Sequence, residues 1–467
     1  MNTHFTPLSQ THIEELIKLL GSELVFTEPN VLQQYGHDET EDLLFLPEIV
    51  IKPREVEQIS QLVKFCNQYQ IAITPRGAGT GLSGGALPVC GGVLLSMEHF
   101  NQIIAIDEQN LQATVESGVI TETLIEAVAE KNLLYPIDPA SKGSCFLGGN
   151  VAHGSGGPRV VKYGTIRDYI LNLQVVLPNG EIIWTGANTI KFSSGYNLTQ
   201  LFIGSEGTLG IITKIVVKLI PKPAHNLLLL ASFESNEVAC TAVSAIFSAG
   251  ITPSAVEFME RVGVEWVMKY DQLTFDIKPH AQAFLLVEID GNYLEQLFLD
   301  CEKINELFEK FGSVETLLAE STAQKETLWR IRRTMAVSVK SNSIYKEEDI
   351  VVPRATLPQA IKNIKKIGVK YGFESVIYGH AGDGNLHVNI LKGDMNDHDW
   401  HHKLPIGIQE IFEQTVALGG TISGEHGIGW VQRPYMGIKF SEMHLQLMRA
   451  IKHVFDPKGI LNPCKIY

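Results

Sequence analysis

The chain has 467 residues, more than a single hydrophobic core usually holds, which predicts two or three domains. Hydrophobic residues make up 45% and charged residues 19% of the sequence, the balance of an ordinary folded protein. The formal net charge of −14 argues against a nucleic-acid-binding surface, so an anionic ligand would need cations supplied locally.

Six cysteines are scattered without a CxxC pair, which argues against an iron–sulfur cluster or a disulfide-stapled secreted domain and favours a reducing compartment. The first twenty residues lack the basic and apolar regions of a signal peptide. No apolar stretch approaches the roughly 18 residues of a membrane helix. The sequence therefore predicts a soluble cytoplasmic protein with no transmembrane segment, and peripheral contact with the inner membrane stays open.

The first elements in chain order lead into a loop that is dense in glycine. Residues 48–52 predict a strand, and Pro53 opens a predicted helix whose apolar residues recur at helical spacing. A second predicted strand, residues 71–74, runs directly into the glycine-rich segment 75–85. Such a backbone must either turn sharply or approach another group closely.

Further along, residues 146–164 form a second glycine-dense segment, and Asn179 and Gly180 predict the turn of a strand–turn–strand unit. After the prolines of residues 221–225 the glycine clusters vanish, and strands such as 283–289 alternate with helices. Those helices are predicted near 236–248, 293–311 and 322–340. We expect three parts, namely residues 1–222, 223–430 and a closing segment 431–467.

The first glycine loop matches the dinucleotide pattern G-x-G-x-x-G from Gly79 to Gly84. A Rossmann site requires this loop to open a helix, whereas Gly85 and Pro88 follow here and then a strand-like VLLSM. The sequence therefore argues against a Rossmann fold. The backbone N–H groups of such a loop still suit a pyrophosphate, and a hairpin connection without a ligand is the alternative.

A histidine hairpin is the strongest chemical signal. In VIYGHAGDGNLHVNI, residues 376–390, Asp383 and Gly384 lie between alternating runs, as in a two-residue type I′ turn. That turn would pair 382 with 385, 381 with 386, and His380 with His387. Directly opposed residues have Cβ atoms about 4.5–5.5 Å apart, so the two imidazoles could bind one divalent ion. A satisfied core histidine is the alternative for either residue alone.

Glu425 is the candidate for a third metal ligand. In a regular strand Glu425 and His426 would point to opposite faces, but glycines at 424, 427 and 429 permit an irregular backbone. Two histidines and one carboxylate leave coordination positions open, as in a catalytic metal site, whereas a solvated turn carboxylate is the alternative. His426, beside a ligand without being needed as one, is a candidate general base.

Arg332 is a candidate cation for an anionic substrate. In LWRIRRTMAVSVK, residues 328–340, Arg332 falls on the apolar face of the predicted helix together with Met335 and Val339. A charge on that face needs a partner, which is either a substrate carboxylate or a structural ion pair.

Six motifs, in order, carry a family resemblance. PRGAGTGLSGG, PIDPASKGSCFLGGNVAHGSGG and LFIGSEGTLGIIT resemble the FAD-binding domain of the vanillyl-alcohol oxidase superfamily. With GHAGDGNLH, GEHGIG and FDPKGILNP they resemble its FAD-linked D-2-hydroxy-acid dehydrogenases of D-lactate, glycolate and D-2-hydroxyglutarate. The resemblance covers nearly the whole chain. It implies an α+β fold with a vanillyl-alcohol-oxidase-type FAD-binding domain, an antiparallel-sheet substrate domain with helices, and a C-terminal segment that returns to the FAD domain.

The resemblance also implies the contacts with FAD. Loop 76–83 would wrap the pyrophosphate, and segments 138–139 and 148–157 would line the isoalloxazine and ribityl chain. Residues 206 and 210–212 would lie along the nucleotide half. Because Gly79 and Thr80 offer no nucleophile where some relatives attach the flavin, we expect non-covalent FAD. The expected FAD-binding residues are Arg76, Gly77, Ala78, Gly79, Thr80, Gly81, Ser83, Asp138, Pro139, Gly148, Gly149, Asn150, Ser155, Gly156, Glu206, Gly210, Ile211, Ile212 and Asn462.

For the substrate, the resemblance implies that Arg332 binds its carboxylate and that Lys346 and Asn389 make further contacts. His426 would accept the hydroxyl proton while a hydride passes from C2 to flavin N5. The metal on His380, His387 and Glu425 would be zinc or manganese, which this ligand set does not separate.

The implied reaction is FAD-dependent, metal-assisted oxidation of a small D-2-hydroxy acid to the 2-oxo acid. Ala336 replaces a threonine found near the substrate in the hydroxyglutarate enzymes, which favours D-lactate or glycolate. The electrons would leave to a separate quinone, cytochrome, electron-transfer flavoprotein or iron–sulfur subunit, or to oxygen. A homodimer stays open.

Two departures from the family pattern are KFSSGYNLT, residues 191–199, and Cys464, which stands where the tail motif usually has glycine. The rival functions are a metal-dependent hydrolase, a flavin-binding subunit without chemistry of its own, and a non-redox flavin-dependent synthase. A hydrolase would leave the three N-terminal glycine motifs without a purpose.

Overall fold

A computed structural model of the protein describes residues 5–467. The helices are α1 (Gln10–Leu20), α2 (Pro29–Tyr35), α3 (Val56–Tyr69), α4 (Thr121–Ala129), α5 (Leu147–His153), α6 (Val160–Tyr163), α7 (Leu198–Phe202), α8 (Asn236–Ser248), α9 (Arg261–Asp271), α10 (Leu294–Lys310), α11 (Thr322–Arg333), α12 (Met335–Asn342), α13 (Leu357–Tyr371), α14 (Asp397–His402), α15 (Leu404–Ala417), α16 (Met436–Lys439) and α17 (Glu442–Phe455). The strands are β1 (Val25–Phe26), β2 (Ile49–Ile51), β3 (Ile73–Arg76), β4 (Val93–Ser96), β5 (Ile103–Asp107), β6 (Gln112–Glu116), β7 (Leu133–Leu134), β8 (Ile170–Val176), β9 (Ile182–Trp184), β10 (Ile211–Lys218), β11 (Ile220–Pro221), β12 (His225–Phe233), β13 (Ala255–Glu260), β14 (Ala283–Gly291), β15 (Ser313–Leu318), β16 (Tyr345–Val351), β17 (Glu374–Gly379) and β18 (Asn385–Leu391). Within residues 5–467, none of these helices combines the length and apolar character needed to cross a membrane.

The chain divides into two compact units. Unit 1 contains the described residues up to Gly156 together with Thr165–Lys222 and Glu425–Tyr467, and unit 2 contains Gly157–Gly164 and Pro223–Gly424. The change after residue 222 falls where the composition changes. The chain returns to unit 1 at Glu425, six residues before the segment boundary expected after residue 430.

The short excursion of residues 157–164 into unit 2 has no signal in the sequence. It carries α6, whose Lys162 ammonium and Tyr163 hydroxyl both bind the Asp290 carboxylate of β14. Burial, with the Asp290 hydrogen bond next, raises the pKa of the Tyr163 hydroxyl, which therefore remains a donor to that carboxylate. These tertiary contacts, rather than local pattern, place α6 in unit 2.

Unit 1 contains two main sheets. One has the strand order β1-β2-β4-β3, with β2, β4 and β3 parallel, and the other has the antiparallel order β5-β6-β10-β8-β9. Helix α3 buries Ile59, Leu62 and Val63 in the same core as Ile49 and Val93 of the first sheet. Each such side chain contributes about 1.5–3 kcal/mol through its removal from water.

The glycine loop after β3 leads to β4 and not to a helix. Residues 77–92 of the described chain contain no helical segment. The expectation that G-x-G-x-x-G does not mark a Rossmann nucleotide site is therefore confirmed, because no helix N-terminus follows the loop to face a pyrophosphate.

Unit 2 is built on one antiparallel sheet of seven strands in the order β15-β12-β14-β13-β17-β18-β16. Helices α9, α11 and α12 bury Val267, Trp329 and Met335 against one face of this sheet. On the opposite face Phe308 of α10 packs edge-on against Phe233 of β12, with ring centroids 5.5 Å apart. We refer to the face covered by α9, α11 and α12 as the α11 face.

The histidine hairpin exists, but its predicted register is wrong. Strand β17 pairs with β18 so that Tyr378, not His380, lies opposite His387. The loop spans residues 380–384, because the His380 carbonyl accepts hydrogen bonds from the N–H groups of Asp383, Gly384 and Asn385 at 3.2, 3.1 and 3.2 Å. The register differs by two residues, which leaves every strand side chain on the same face of the sheet.

A glycine substitution tests how tightly this loop is held. A Cβ at Gly384, which has φ +90°, would lie 2.0 Å from the Val352 carbonyl oxygen, whereas a Cβ at Gly250, with φ +81°, would meet nothing within 4 Å. Both Gly384→Ala and Gly250→Ala incur the left-handed backbone cost, but only the first adds a steric clash. We expect urea unfolding to show Gly384→Ala about 1–3 kcal/mol less stable than Gly250→Ala. Equal stabilities would contradict the described loop.

Candidate active site

Two cavities in unit 1 adjoin one another and share Gly77, Ala86, Gly149 and His153 in their walls. The glycine loop after β3 lines one of them, and the start of β10 lines the other. The expected FAD-binding residues found in these walls are Arg76, Gly77, Ala78, Gly79, Thr80, Gly81, Pro139, Gly148, Gly149, Asn150, Ser155, Glu206, Gly210, Ile211 and Ile212. His153, which borders both cavities from the end of α5, lies in the expected segment 148–157 but was not named among the expected FAD-binding residues.

Backbone rather than side chains forms much of these walls. A Cβ added at Gly149 would meet nothing within 4 Å, whereas one at neighbouring Gly148 would lie 2.6 Å from the Ser117 Cβ. Gly149 therefore borders open space, whereas Gly148 packs against Ser117, the residue that follows β6. Bare backbone that borders a cavity allows the close approach that a dinucleotide pyrophosphate requires, so these walls suit FAD.

Four of the expected FAD residues do not line either cavity: Ser83, Asp138, Gly156 and Asn462. The buried Asn462 carboxamide instead donates to the carbonyl oxygens of Gly85, at 2.9 Å, and Glu206, at 2.7 Å. Ser83 Oγ donates to the His426 carbonyl oxygen at 3.0 Å. Asn462 and Ser83 therefore brace the segments that form the walls.

Glu206 has a role that the sequence interpretation did not foresee. Its two carboxylate oxygens accept hydrogen bonds from the N–H groups of Ile428 and Gly429, each at 2.7 Å. These bonds attach the turn that follows Glu425 to the wall of the cavity. The Glu206 side chain thus positions another protein segment, although the residue also borders the cavity expected to hold FAD.

The turn of residues 425–429 needs its glycines. A Cβ at Gly427, with φ +79°, would lie 2.7 Å from His153 Nδ1, and one at Gly429, with φ +51°, would lie 2.2 Å from the Ser83 carbonyl oxygen. The irregular backbone expected here is confirmed. Glu425 and His426 both border the cavity that is lined by the glycine loop.

In unit 2 a fully buried carboxylate, Glu257 on β13, lies between two basic side chains. His380 Nδ1 is 2.9 Å from each of its oxygens, and Arg332 Nε is 2.6 Å from Oε2. Burial by itself raises the pKa of Glu257, but the charges of His380 and Arg332 and their hydrogen bonds bring it below the usual range. His380 Nδ1 faces this carboxylate, so Nε2 is the ring nitrogen available to bind a metal.

His387 lies beside His380, with ring centroids 5.3 Å apart and ring planes at 86°. Its Nδ1 is 3.5 Å from Glu347 Oε1 and 3.8 Å from Asp349 Oδ1. Sequence patterning missed Glu257, Glu347 and Asp349. The alternate acidic positions in β16 were visible, but only the pairing of Asp349 with His387 places them on the same face.

Asp349 also anchors the end of unit 2. Its Oδ2 accepts hydrogen bonds from the Gly424 N–H at 2.8 Å and from Ser423 Oγ at 3.1 Å. The residue that precedes Glu425 is therefore held at the strand position paired with His387.

Three more polar groups on the α11 face are buried without a hydrogen bond of normal geometry among residues 5–467. They are Arg332 Nη2, the Tyr378 hydroxyl and both polar atoms of the Asn389 carboxamide. The Arg332 guanidinium lies 5.1 Å above the Tyr378 ring, and burial raises the pKa of Tyr378 well above its ordinary value. The Asn389 side chain acts against this shift as a hydrogen-bonding neighbour of the Tyr378 hydroxyl, so these two groups partly satisfy one another.

Arg332 therefore makes the structural ion pair, one of its two predicted partners, and its binding of a substrate carboxylate stays a prediction. Its Nε makes the structural ion pair with Glu257, while Nη2 is the atom left for a ligand.

Lys346 does not join this group. It is paired with Ile390 in the sheet, whereas Asn389 is paired with Glu347, so Lys346 belongs to the face opposite the α11 face. Its Nζ lies 5.7 Å from the centroid of the Trp400 ring. The expectation that Lys346 lies with Arg332 and Asn389 is wrong because strand side chains alternate between faces.

Two family descriptions match the chain. Residues 47–186 match the FAD binding domain, and residues 222–466 match the C-terminal domain of FAD linked oxidases. The glycolate oxidase subunit GlcD of Bacillus subtilis (strain 168) is 40% identical, covering 97% of this chain and 96% of the relative. The D-lactate dehydrogenase of Anaerostipes hadrus is 35% identical, over 97% and 96%, and the D-2-hydroxyglutarate dehydrogenase of Stutzerimonas stutzeri (strain A1501) is 32% identical, over 97% and 98%.

Solved structures support the same fold. p-Cresol methylhydroxylase superposes with a TM-score of 0.80 at 19% identity, covering 98% of this chain and 97% of the other. The 4-ethylphenol oxidase from Gulosibacter chungangensis gives a TM-score of 0.79 at 19% identity, covering 98% and 96%. The expected vanillyl-alcohol-oxidase-type α+β fold is confirmed.

The two matched family descriptions and the full-length relatives define a flavin-dependent oxidoreductase. The chain belongs to the family of FAD-linked oxidases, as the motifs predicted, and it carries an FAD-binding domain. Membership of this family does not support the alternative hypothesis of a metal-dependent hydrolase.

We predict that Gly149→Leu loses FAD without loss of fold. Leucine is a good helix former, and at this position its side chain would occupy the cavity and not the core. The absorbance ratio of flavin to protein should fall several-fold, while the unfolding free energy of the apoprotein should stay within about 0.5 kcal/mol of the parent value. Gly437→Leu, whose Cβ also meets nothing within 4 Å but lies in α16, serves as control and should retain FAD. Full flavin content in Gly149→Leu would place FAD elsewhere.

We predict that Glu257→Gln destabilises the protein. Removal of the charge leaves Arg332 buried without a carboxylate, which typically costs about 3–5 kcal/mol. Because the folded pKa of Glu257 is lowered, its contribution is present above the unfolded value of about 4.3 and is lost as the pH falls through the folded pKa. Urea unfolding at pH 7 measures the difference, with the exposed Glu374→Gln as control. Equal stability of the two variants would show that the buried pair is not formed.

Proposed function

We propose that this protein oxidises a small D-2-hydroxy acid to the 2-oxo acid, with FAD as the immediate electron acceptor. Similar chains are named as glycolate, D-lactate and D-2-hydroxyglutarate enzymes, and the buried polar groups of Arg332, Tyr378 and Asn389 suit a molecule of that kind. D-lactate or glycolate is favoured, because Ala336 supplies no hydroxyl for a longer diacid.

The observation that carries the proposal is the oriented histidine pair. We infer that His380, His387 and Glu425 hold a divalent metal, zinc or manganese. Glu257 fixes the His380 ring, and Asp349 anchors Gly424, the residue before Glu425. The carboxylates of Glu257, Glu347 and Asp349 lie near the two histidines, and their combined negative charge exceeds the positive charge of the nearby Arg332. This balance of charge suits a site for a cation. When bound, the metal supplies Lewis acidity toward the substrate oxygens.

Each remaining side chain then has a distinct role. His426 accepts the hydroxyl proton at an imidazole nitrogen, in a turn held by Glu206 and Ser83. Arg332 donates from Nη2 to the substrate carboxylate, and Asn389 and Tyr378 donate to its other oxygens. Bound FAD supplies the acceptor for the hydride that leaves the substrate C2.

FAD is held without a covalent bond by the glycine walls in this proposal, and heat denaturation should therefore release all of it. The reduced protein passes its electrons to a separate quinone, cytochrome, electron-transfer flavoprotein or iron–sulfur protein in the cytoplasm or at the inner membrane surface.

Anaerobic titration tests the activity. The purified yellow protein is mixed with D-lactate, glycolate or D-2-hydroxyglutarate, with L-lactate as control, and the visible flavin band is followed. Bleaching by at least one D-2-hydroxy acid or glycolate, but not by L-lactate, supports the proposal. A flavin that none of these acids reduces would instead indicate a non-redox synthase or a flavin-binding subunit.

We predict that His426→Gln lowers the rate of flavin reduction about 10²–10⁴-fold, because the proton acceptor is lost. FAD content should be unchanged, since the His426 carbonyl, not its ring, meets Ser83. The exposed His398→Gln should react at the parent rate. Removal of metal by a chelator should likewise stop reduction with FAD retained, and zinc or manganese should restore it. Full activity in metal-free protein would overturn the assignment of His380, His387 and Glu425.

A further inference from the structure

Two cysteines of unit 1 meet, although they are 374 positions apart in the chain. The Sγ atoms of Cys90 and Cys464 lie 3.4 Å from each other. A disulfide requires a separation of about 2 Å, so oxidation would bring the two sulfur atoms about 1.4 Å closer. Cys464 is exposed and Cys90 is half-buried, whereas the other cysteines are buried: Cys66, Cys145, Cys240 and Cys301. Reagents in solution can therefore reach this pair.

The backbone at Cys464 is unusual for a residue with a side chain. Its φ is +65°, a left-handed conformation that costs a residue with a Cβ about 1–2 kcal/mol. Glycine, the usual residue of the tail motif at this position, would avoid that cost. The thiol is thus held against Cys90 at an energetic cost to the tail.

The two thiols differ in acidity. The hydrogen bond with Cys90, together with the positive charges of Arg433 and Lys465, lowers the pKa of Cys464 to about 6. The same hydrogen bond, with burial, raises the pKa of Cys90. Both shifts favour Cys464 as the thiolate and Cys90 as the thiol, the state in which thiol–disulfide exchange begins.

A basic cavity borders Cys464. Its wall includes Arg433, Arg449, His453 and Lys458, in a protein whose net charge is −14, and the Asp456 carboxylate in the same wall is paired with Lys452. Cations beside a reactive thiolate favour an anionic partner, such as a small disulfide that carries carboxylates.

The residues that flank Cys464 hold the loop that carries Cys90. Lys465 Nζ donates to the Leu87 carbonyl oxygen at 2.5 Å, and Asn462 donates to the Gly85 carbonyl oxygen at 2.9 Å. Gly85 and Ala86 belong to the walls of the cavities that suit FAD. A covalent bond from Cys464 to Cys90 would join the same two segments that these hydrogen bonds join.

We propose that Cys90 and Cys464 form a reversible disulfide, made by exchange with an anionic low-molecular-weight disulfide, that locks the C-terminal tail onto the loop beside the FAD cavity. The Cys464 thiolate attacks one sulfur of the small disulfide, whose S–S bond breaks to release one thiolate. Cys90 then loses its proton to solvent and attacks Cys464 Sγ, which releases the second thiolate. The protein dithiol is oxidised by two electrons, and the small disulfide is reduced to two thiols.

Retention of FAD is the expected consequence. The lock limits opening of loop 85–92, so FAD should leave the oxidised protein more slowly than the reduced protein. This depends on FAD occupying the cavities of unit 1 and not on which substrate is oxidised.

The test uses the FAD-loaded full chain treated with glutathione disulfide and then freed of it. Peptide mass mapping without reductant should show a peptide pair cross-linked through Cys90 and Cys464, which dithiothreitol separates. Flavin fluorescence should then show FAD release about five-fold slower or more after oxidation, a small part of the stabilisation that disulfides typically give. Cys90→Ser and Cys464→Ser should release FAD at the reduced rate with or without oxidant, and the buried Cys301→Ser should behave as the parent.

Three outcomes would overturn the proposal: no cross-link, a mixed disulfide at Cys464 that Cys90 does not resolve, or a cross-link that leaves FAD release unchanged. Neutral 2-hydroxyethyl disulfide, used at the same concentration, tests the basic wall. Slower oxidation with this reagent than with glutathione disulfide supports the anionic partner, and equal rates would contradict it.

Discussion

The buried carboxylate of Glu257 is the interaction on which the chemistry of unit 2 depends. A carboxylate with no access to water is costly unless it is paired and hydrogen-bonded, and here it has His380 on one side and Arg332 on the other. Its position on β13, next to β17, presents it to the end of the histidine hairpin. One carboxylate thereby sets both the orientation of a proposed metal ligand and the direction of a proposed substrate-binding guanidinium.

In unit 1 the carboxylate of Glu206 likewise holds other segments of the chain in position. Glu206 accepts the N–H groups of Ile428 and Gly429, and its own carbonyl oxygen accepts Asn462. Three stretches of chain that are remote in sequence therefore converge on one residue. The turn that carries Glu425 and His426 is held by hydrogen bonds at its glycine-rich end, which leaves those two side chains to border the cavity.

The C-terminal tail also holds a loop that borders the cavities of unit 1. Asn462 and Lys465 donate to backbone carbonyls of loop 85–87, and Cys464 between them meets Cys90. Because the hydrogen bonds alone already fix the tail, a bond between the thiols would strengthen an existing contact and not create a new conformation. That is why a thiol pair here can adjust how firmly the cavity is closed without disturbing the fold.

Local patterns in the sequence predicted many of the elements, and the resemblance of six ordered motifs predicted the family. Helix α8 lies at the predicted residues 236–248, the loop after β3 is not a Rossmann turn, and the alternating residues around Asp383 do form a hairpin. Alternation identifies which side chains share a face, but a shift of two residues preserves it. The pattern therefore placed His380 and His387 on one face while missing that Tyr378 is the residue paired with His387.

Only the tertiary structure decided which groups meet across long separations. Glu257 lies 123 residues from His380. Cys90 and Cys464 have no common motif, and Lys346 was assigned to a ligand group from which strand alternation removes it. The spacing of residues in a chain governs contacts within a helix, strand or turn, whereas the pairing of strands and the packing of helices on sheets govern the rest. The sequence thus predicted which side chains of the hairpin share a face of the sheet and where the glycine turns lie. The partners that orient His380, His387 and Arg332 could be identified only from the pairing of the strands.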